Sequence, residues 1–240
     1  MRIFLAGAGG AIGRRLTPLL RAAGHDVVGT TRTADKTAAV AALGAEPVVV
    51  DVFDAVALTR ALQAAAPHVV MHQLTDLAFA PGTPGYEAGL ERNARLRIEG
   101  TRNLVAAAKA AGVRRLIAQS IAFVYAPGDG ARVESDPLNL AAEGAMGRTV
   151  AAVGQLEQTV LAMPEGIVLR YGFFYGPETW SGDAPARQPG VHIDAAAQAA
   201  LLAVSKGSRG IYNVAEDAPA LSSAKAKLEL GFDAGFRIKC

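Results

Sequence analysis

The chain has 240 residues, of which 51% are hydrophobic and 19% charged, so it is long enough for one α/β domain and too short for two full ones. Its formal net charge of +2 comes without any run of lysine or arginine, which argues against a nucleic-acid or membrane partner. The single cysteine, Cys240, excludes a disulfide framework and a cysteine-based metal cluster. We therefore expect a cytoplasmic protein with no metal site and a small-molecule substrate. The first apolar segment, Ile3–Ala6, is too short for a signal-peptide core.

From residue 1 to about 120, short apolar runs alternate with alanine- and leucine-rich segments, and a glycine or proline separates most of them. This alternation predicts βαβ units, whose strands are apolar on both faces because helices cover both sides of a parallel sheet. The predicted strands are Ile3–Ala6, Asp26–Thr30, Pro47–Val50, His68–Leu74 and Arg114–Gln119. The predicted helices span about 11–23, 34–43, 54–66 and 87–111.

Beyond residue 120 the alternation loosens, and no linker interrupts the chain. The pattern here predicts helices at about 138–163, 194–205 and 222–230, and strands at Gly166–Arg170 and Gly210–Val214. We therefore predict a single domain over 1–240. Residues 1–165 would form the dinucleotide-binding core, and residues 166–240 the remaining strands with a small substrate-binding region.

A glycine-rich loop, Gly7-Ala8-Gly9-Gly10-Ala11-Ile12-Gly13, follows the first strand and opens the first helix. Gly7 allows the tight turn, Gly10 lets the backbone approach a pyrophosphate, and Gly13 lets the helix pack closely on the strand. The amides at the helix start, including those of Ala11 and Ile12, would face the phosphates. The loop therefore predicts a dinucleotide site.

The end of the second predicted strand bears on the choice between NAD and NADP. NAD-preferring sites carry an acidic residue there, which binds the ribose 2′-hydroxyl. This chain has Arg32 instead, with Lys36 four residues later. A guanidinium binds a 2′-phosphate through a planar fork of donors, and a lysine adds a point charge. We predict NADP(H) over NAD(H); the alternative is that both are ordinary solvated bases at a helix start.

Two further segments end predicted strands, where open α/β sheets bind their ligands. Asp51, next to Val52, is predicted to bind the adenine amino group or to cap the next helix, a role that Asp54 can also fill. The residues that end the fourth strand are predicted to line the nicotinamide ribose. They are Gln73, Leu74 and Thr75.

With these motifs the chain resembles the short-chain dehydrogenase/reductase superfamily, in the extended and atypical branch of NAD-dependent epimerase/dehydratase-like proteins. The matching segments, in the family's order, are Gly7–Gly13, Asp51-Val52, Glu99–Leu104, Gln119–Tyr125, Leu169–Tyr171 with Tyr175–Pro177, and Val191–Asp194. The resemblance implies an α/β fold, a doubly wound Rossmann-type parallel sheet with a C-terminal substrate cap, here abbreviated. It also implies cofactor contacts from Tyr171 and Gly172, and a homodimer through the two longest helices.

The chain departs from this family where the chemistry would be. Members usually carry a Tyr-x-x-x-Lys pair, in which the lysine lowers the tyrosine pKa so that the hydroxyl exchanges a proton with substrate. None of the five tyrosines has a lysine four residues later. Two alignments put either Thr149 and Val153 or Met146 and Val150 at these positions, and the family's frequent asparagine is Arg97 here. The usual acid/base pair is therefore missing.

Ser120 and Tyr125 are the predicted catalytic candidates. Ser120 lies where the family has a serine or threonine, although counting back from Tyr125 puts Ile121 there. Ser120 would hydrogen-bond a substrate carbonyl or the cofactor amide. Tyr125 would donate the proton, or alternatively only cover the sheet edge. His72, inside an apolar strand, is predicted to be a core histidine.

The loop 80–86 is predicted to be either a lid or a plain connection, and an apolar pocket is predicted from Trp180, Phe173 and Phe174. We expect an NADP(H)-dependent reductase of the atypical short-chain type, which transfers hydride to a carbonyl, imine or activated alkene of a small, apolar substrate. The missing pair leaves two alternatives open, a non-catalytic NADP-binding sensor and a cofactor-retaining epimerase or dehydratase.

Overall fold

A computed structural model describes residues 1–77 and 82–238; the start of the predicted loop 80–86 and Cys240 lie outside these ranges. The strands are β1 (Arg2–Ala6), β2 (Asp26–Thr31), β3 (Glu46–Val49), β4 (Val69–His72), β5 (Arg115–Ile121), β6 (Glu165–Tyr171), β7 (Phe173–Tyr175), β8 (Gly190–His192) and β9 (Gly210–Val214). The helices are α1 (Ala11–Ala22), α2 (Thr37–Ala42), α3 (Ala55–Ala65), α4 (Tyr86–Arg95), α5 (Thr101–Ala110), α6 (Gly144–Leu161) and α7 (Ile193–Leu202). A 3₁₀ turn spans Ala34–Lys36, and π-helical turns span Leu96–Gly100 and Ala226–Leu230.

The centre of the protein is a seven-stranded sheet in the order β3-β2-β1-β4-β5-β6-β9, and every neighbouring pair in it is parallel. The order reverses between β1 and β4, and ligands bind open α/β sheets at such a point. The predicted α/β class, a doubly wound Rossmann-type parallel sheet, is confirmed. The predicted cap region is small: it contains the two-stranded sheet of β7 and β8 and the loop between them.

Alternation along β1 explains how one strand serves two cores. Ile3 and Leu5 pack in the cluster on the side of α1 and α7, whereas Phe4 packs in the cluster on the side of α3, α5 and α6. All three side chains are fully buried. Helix α1 contributes Leu16 and Leu20, one helical turn apart, to the first cluster. This arrangement fixes the glycine-rich loop at the carboxyl edge of the sheet.

Three predicted elements have different limits in the structure. The helix expected at 138–163 begins only at Gly144, because Leu138 forms a β-bridge with Tyr125 and Asn139 donates its amide to the Val124 carbonyl. The strand expected to reach residue 74 is β4, which ends at His72. The helix expected over 87–111 consists of α4 and α5 joined by the π turn. None of the helices within the described ranges has the length and apolarity needed to cross a bilayer.

Candidate active site

The glycine-rich loop can form only with glycine at two of its positions. Gly7 has φ +99°, in the left-handed region, and a Cβ there would lie 2.7 Å from the Gln73 carbonyl group. A Cβ on Gly13 would overlap the carbonyl oxygen of Gly7, because α1 packs directly against the turn. Gly10 closes the turn by donating its amide to the Gly7 carbonyl at 3.0 Å. By contrast, the space beside Gly9 is open.

The start of α1 offers free donors toward this open space. No side chain caps the helix, whose Ncap residue is Gly10. Within the described residues, the amides of Ala11, Ile12 and Gly13 have no hydrogen-bond acceptor. Unpaired amides and the positive end of the helix dipole favour an anion at this point. The loop and helix start therefore fit the pyrophosphate of a dinucleotide.

The predicted adenosine end of the site is solvent-accessible. Thr30, in β2, accepts a hydrogen bond from the Gly7 amide at 3.4 Å and so links β2 to the end of β1. Arg32 and Lys36 follow and are exposed, and the side chain of neither forms a hydrogen bond or ion pair with a described residue. Both cations are therefore available to a phosphate.

Of the two acidic residues in this segment, Asp54 and not Asp51 caps the helix that follows. Asp54 caps α3 by accepting the Ala57 amide at 2.9 Å. Asp51 is exposed, and one of its oxygens accepts the Phe53 amide at 2.9 Å. The side chain of Val52 is buried and packs beside Gly100, so this residue forms the floor of the segment.

The predicted nicotinamide end is lined by residues that follow β4. The side chain of Gln73 is buried, and neither its amide nitrogen nor its amide oxygen has a hydrogen-bond partner. Thr75 is exposed, and Leu74 is half-buried and donates its amide to His72 Nδ1 at 3.3 Å. An orphaned buried amide next to the glycine-rich loop fits a polar ligand group at this edge.

Tyr171 ends β6, Gly172 follows it, and both residues are buried. The Tyr171 ring is fully buried against Phe174, and burial raises the pKa of its hydroxyl, while the neighbouring Gln73 side chain acts against this rise. Gly172 donates its amide to the Val214 carbonyl at 3.0 Å, and a Cβ there would lie 2.6 Å from the Pro189 carbonyl oxygen. These residues support the edge of the site by close packing.

His72 is a hydrogen-bonded histidine in the core. Its Nδ1 accepts the Leu74 amide, so Nε2 carries the proton and donates to Thr101 Oγ1 at 2.9 Å. Burial, helped by the nearby charge of Arg97, lowers the pKa of His72 to about 4. The imidazole is therefore neutral at physiological pH, and its proton is already used.

Ser120 belongs to a buried polar network that the sequence analysis missed. Its hydroxyl donates to Glu157 Oε1 at 2.8 Å, and the same carboxylate binds Arg170 through two contacts. Thr149, Val153 and Glu157 lie four residues apart on one face of α6, so the carboxylate stands among core-facing positions. A charged residue at a core-facing helix position, and a second one in an apolar strand, was the signal available in the sequence.

Tyr125 is bound at both its ring and its hydroxyl. The hydroxyl donates to Asn213 Oδ1 at 2.6 Å, and the Arg170 guanidinium lies 4.7 Å from the ring centroid. Burial raises the pKa of Tyr125, although the charge of Arg170 acts against this rise. The proton on this hydroxyl is therefore held more firmly than in a free tyrosine.

The positions aligned with the family's acid/base pair contain no titratable group. Val153 is fully buried, in a cluster with Val124 and Val150. Thr149 is largely buried, and its hydroxyl forms no hydrogen bond with a described residue. Because position 153 is a buried valine, it supplies no lysine ammonium that could lower the pKa of a nearby hydroxyl.

The three aromatic residues predicted to line one pocket have separate surroundings. Phe173 stacks on Phe123 with ring centroids 4.0 Å apart, and Phe174 packs against Tyr171. Trp180 is half-exposed and meets the Tyr86 ring edge-on, at 6.5 Å between centroids. Across the described part of the chain, no group of three or more His, Cys, Asp or Glu side chains could bind a metal ion.

The fold and the loop define a dinucleotide-binding protein of the Rossmann type. Residues 7–163 match the model of a family described as NAD(P)H-binding, and the chain belongs to this family. A 3-diazoavenalumate denitrifying reductase from a Streptomyces species is 40% identical over 241 residues, which cover 92% of this chain and 77% of that protein. The predicted oxidoreductase class is thus supported, at the level of an NAD(P)-binding protein related to a reductase.

Solved structures share the fold at lower identity. The UDP-glucose 4-epimerase of Thermotoga maritima, with UDP-glucose, has a TM-score of 0.76 at 18% identity, over 97% of this chain and 93% of that chain. The Bordetella bronchiseptica enzyme WbmG, in complex with NAD, has a TM-score of 0.74 at 21% identity, over 99% and 90%. The predicted resemblance to epimerase/dehydratase-like short-chain enzymes is confirmed.

Proposed function

We propose that the protein is an NADPH-dependent reductase whose substrate accepts a hydride without needing a proton from the protein. The observation that carries this proposal concerns the candidate proton donors. The usual tyrosine–lysine pair is absent, and each remaining candidate already donates its hydrogen bond to another residue of the protein. Tyr125 donates to Asn213, Ser120 donates to Glu157, and the neutral His72 donates its Nε2 proton to Thr101. Reduction of a carbonyl or imine consumes a proton, so such substrates would depend on water.

An aromatic diazonium group meets this requirement, and the related reductase is named for a diazo compound. When NAD(P)H is bound it supplies a hydride, and a hydride that displaces N₂ from an aromatic diazonium carbon forms the C–H bond as the C–N electron pair leaves with N₂, so that no proton is consumed. We therefore favour an aromatic diazo substrate over the carbonyl, imine and alkene acceptors expected from the sequence.

The remaining roles follow from the residues at the carboxyl edge. The amides of Ala11, Ile12 and Gly13 would bind the pyrophosphate, and Arg32 with Lys36 would bind the 2′-phosphate that distinguishes NADP from NAD. The orphaned amide of Gln73 would orient the nicotinamide end. The protein then binds, orients and shields the reactants, and the leaving N₂ provides the driving force.

The test is turnover with a diazotised aminohydroxybenzoate and NADPH deuterated at C4, compared with a panel of aldehydes, ketones and imines. We expect NADPH oxidation only with the diazo compound, and deuterium at the carbon that carried nitrogen. Reduction of carbonyls but not of the diazo compound would overturn the proposed substrate class. Tight NADPH binding without turnover on any substrate would favour the non-catalytic sensor.

Two further parts of the proposal concern the surroundings of the enzyme. A chain with one cysteine suits the reducing cytoplasm, which we propose as its compartment. We also propose a homodimer through α6 and the long helix made of α4, the π turn and α5, the helices that the family resemblance indicates. Light scattering on the purified protein tests it, and a monomer mass at micromolar concentration would contradict it.

A further inference from the structure

Arg97 is a buried cation without a bonding partner. It lies in the π turn Leu96–Gly100 and is only 7% exposed. No described residue forms a hydrogen bond or an ion pair with its guanidinium. Burial, opposed by the charge of Glu157, lowers the pKa of Arg97 to about 10, so the side chain stays charged at neutral pH. An unpaired buried charge of this kind is costly and calls for a ligand.

The charge on Arg97 is not balanced by its neighbours. Glu157 is the acidic group that acts on it, but the two oxygens of Glu157 already bind Arg170 and Ser120. His72, the other group that interacts with it, is neutral. Two guanidinium groups therefore share one carboxylate, and the cluster has a surplus positive charge.

A second carboxylate lies nearby but acts elsewhere. Glu134 accepts the backbone amide of Asn213 at 2.8 Å, and its charge acts on Tyr125. It is not among the groups that affect Arg97. The surplus charge at Arg97 therefore persists within the described structure.

The groups that interact with Arg97 place this charge beside the carboxyl ends of the central strands. Its neighbour His72 ends β4, and Ser120 and Arg170, which bind the shared carboxylate, are register partners near the ends of β5 and β6. The nitrogen atoms of Arg97 are unpaired but are not sealed from solvent, unlike those of Gln73. The carboxyl ends of these strands are where an open α/β sheet receives its ligand.

We propose that Arg97 binds an anionic oxygen of the substrate and so selects negatively charged aromatic substrates. The inference rests on the proposed reductase function and names a substrate class for it. A guanidinium with unused donors binds a carboxylate through two parallel hydrogen bonds, and it binds a phenolate oxygen through one or two. The positive cluster would in turn disfavour neutral esters of the same acids.

The test measures binding to the protein saturated with NADP⁺, using three probes: cinnamate, methyl cinnamate and 4-nitrophenolate. We expect the wild-type protein to bind one of the two anions about 10- to 100-fold more tightly than the neutral ester. The anion that binds identifies the source, a carboxylate or a phenolate oxygen. Arg97→Gln should abolish the difference, Arg97→Lys should retain part of it, and Arg102→Gln, an exposed arginine on the adjoining helix, should leave it unchanged.

Equal affinity for ester and anions in the wild-type protein, or an unchanged preference in Arg97→Gln, would overturn the proposal. A structural role for Arg97 would instead lower the melting temperature of Arg97→Gln, whereas removal of an unpaired buried charge should leave it unchanged or raise it. If Arg97→Gln does not fold, the same comparison of anion and ester affinities is made with Arg97→Lys and Arg97→Met. Lack of turnover by the wild-type enzyme would count against the proposed reductase, while the binding data would still decide the role of Arg97.

Discussion

Glu157 and Arg170 form a two-point ion pair in the interior: Nε of Arg170 lies 2.8 Å from Oε1 of Glu157, and Nη2 lies 2.6 Å from Oε2. The side chains are 3% exposed for the arginine and 5% for the glutamate. Because the glutamate is on α6 and the arginine on β6, the pair joins the helix to the sheet beside the cofactor cleft. Ser120 adds a third contact from β5.

Breaking this pair should be strongly destabilising. Glu157→Gln leaves a buried guanidinium without its counter-charge, and such losses cost about 3–5 kcal/mol. The matched control is Glu99→Gln, which removes the partner of Arg95 in an exposed i,i+4 pair and should cost under about 0.5 kcal/mol. Urea unfolding of both variants measures the difference. Similar losses in the two would mean that the buried pair contributes no more than the surface one.

Replacing Gly13 should weaken cofactor binding, whereas replacing Gly9 should leave the fold of the unliganded protein unchanged. Gly13→Ala pushes a methyl group into the Gly7 carbonyl and must displace the loop, so we expect NADPH affinity to fall by about tenfold or more. Gly9→Ala, where the space is open, is the matched control for the protein without ligand. Fluorescence titration with NADPH and thermal melts separate lost binding from lost folding. Equal affinities for NADPH in wild type and Gly13→Ala would refute a close-packed loop at the pyrophosphate.

Changing Arg32 should alter the preference between cofactors. Arg32→Glu replaces a phosphate-binding cation with a repelling anion, and we expect NADPH to bind about 10- to 100-fold more weakly while NADH affinity changes little. Arg209→Glu makes the same charge change at another exposed arginine and should affect neither cofactor specifically. The readout is the ratio of the two dissociation constants. A ratio unaltered by Arg32→Glu would argue for NAD as the natural cofactor.

The buried His72 should make the protein lose stability in mild acid. Its pKa is lowered from 6.5 to about 4 in the folded protein, so as pH falls the unfolded chain takes up the proton first. Stability from this group is complete above pH ~6.5 and is lost progressively down to pH ~4, by a total of about 3 kcal/mol. The free energy of unfolding of His72→Gln, measured over the same range, should fall less steeply than that of the wild type. Parallel curves would show that the histidine does not contribute to the acid sensitivity.

Removal of the Tyr125 hydroxyl should affect folding more than catalysis. Tyr125→Phe leaves Asn213 Oδ1 without its donor, which costs about 1 kcal/mol. Because we do not assign the reaction's proton to this tyrosine, the turnover number should change by less than about threefold, against the about 10²-fold or greater loss typical of a removed general acid. Tyr212→Phe, whose hydroxyl binds Ser208 and Glu229 outside the cleft, is the control for stability. A selective, large loss of turnover in Tyr125→Phe would restore it as the proton donor.

Local patterns were enough to predict the sheet and the glycine-rich loop. The strand β1 is apolar at successive positions because both of its faces are buried, and Gly7 and Gly13 occur at a spacing that has few other uses. These features depend on residues that are close together in the sequence. The same locality explains why a helix cap was expected at Asp51 or Asp54.

The polar network behind the cleft depends on contacts between distant residues, and its one local signature was a charged residue at a core-facing position of a helix and another in an apolar strand. Ser120 and Glu157 are 37 residues apart, and Tyr125 and Asn213 are 88 apart. The π turn changes the helical periodicity between α4 and α5, so the face on which Arg97 lies does not follow from counting along an ideal helix. The burial of Arg97 depends on how the π turn packs against α6.

The packing of α7 on α1 has a consequence for synthesis of the chain. The two helices share one core cluster, in which a run of alanines from α7 meets Leu16 and Leu20 of α1. On the ribosome, α1 is made about 180 residues before α7, which buries it. At a translation rate of 5–20 residues per second, the apolar face of α1 therefore stays exposed for roughly ten to forty seconds. The first strands and helices therefore cannot complete their core during translation, and this interval is when the nascent chain is most exposed to aggregation and most in need of a chaperone.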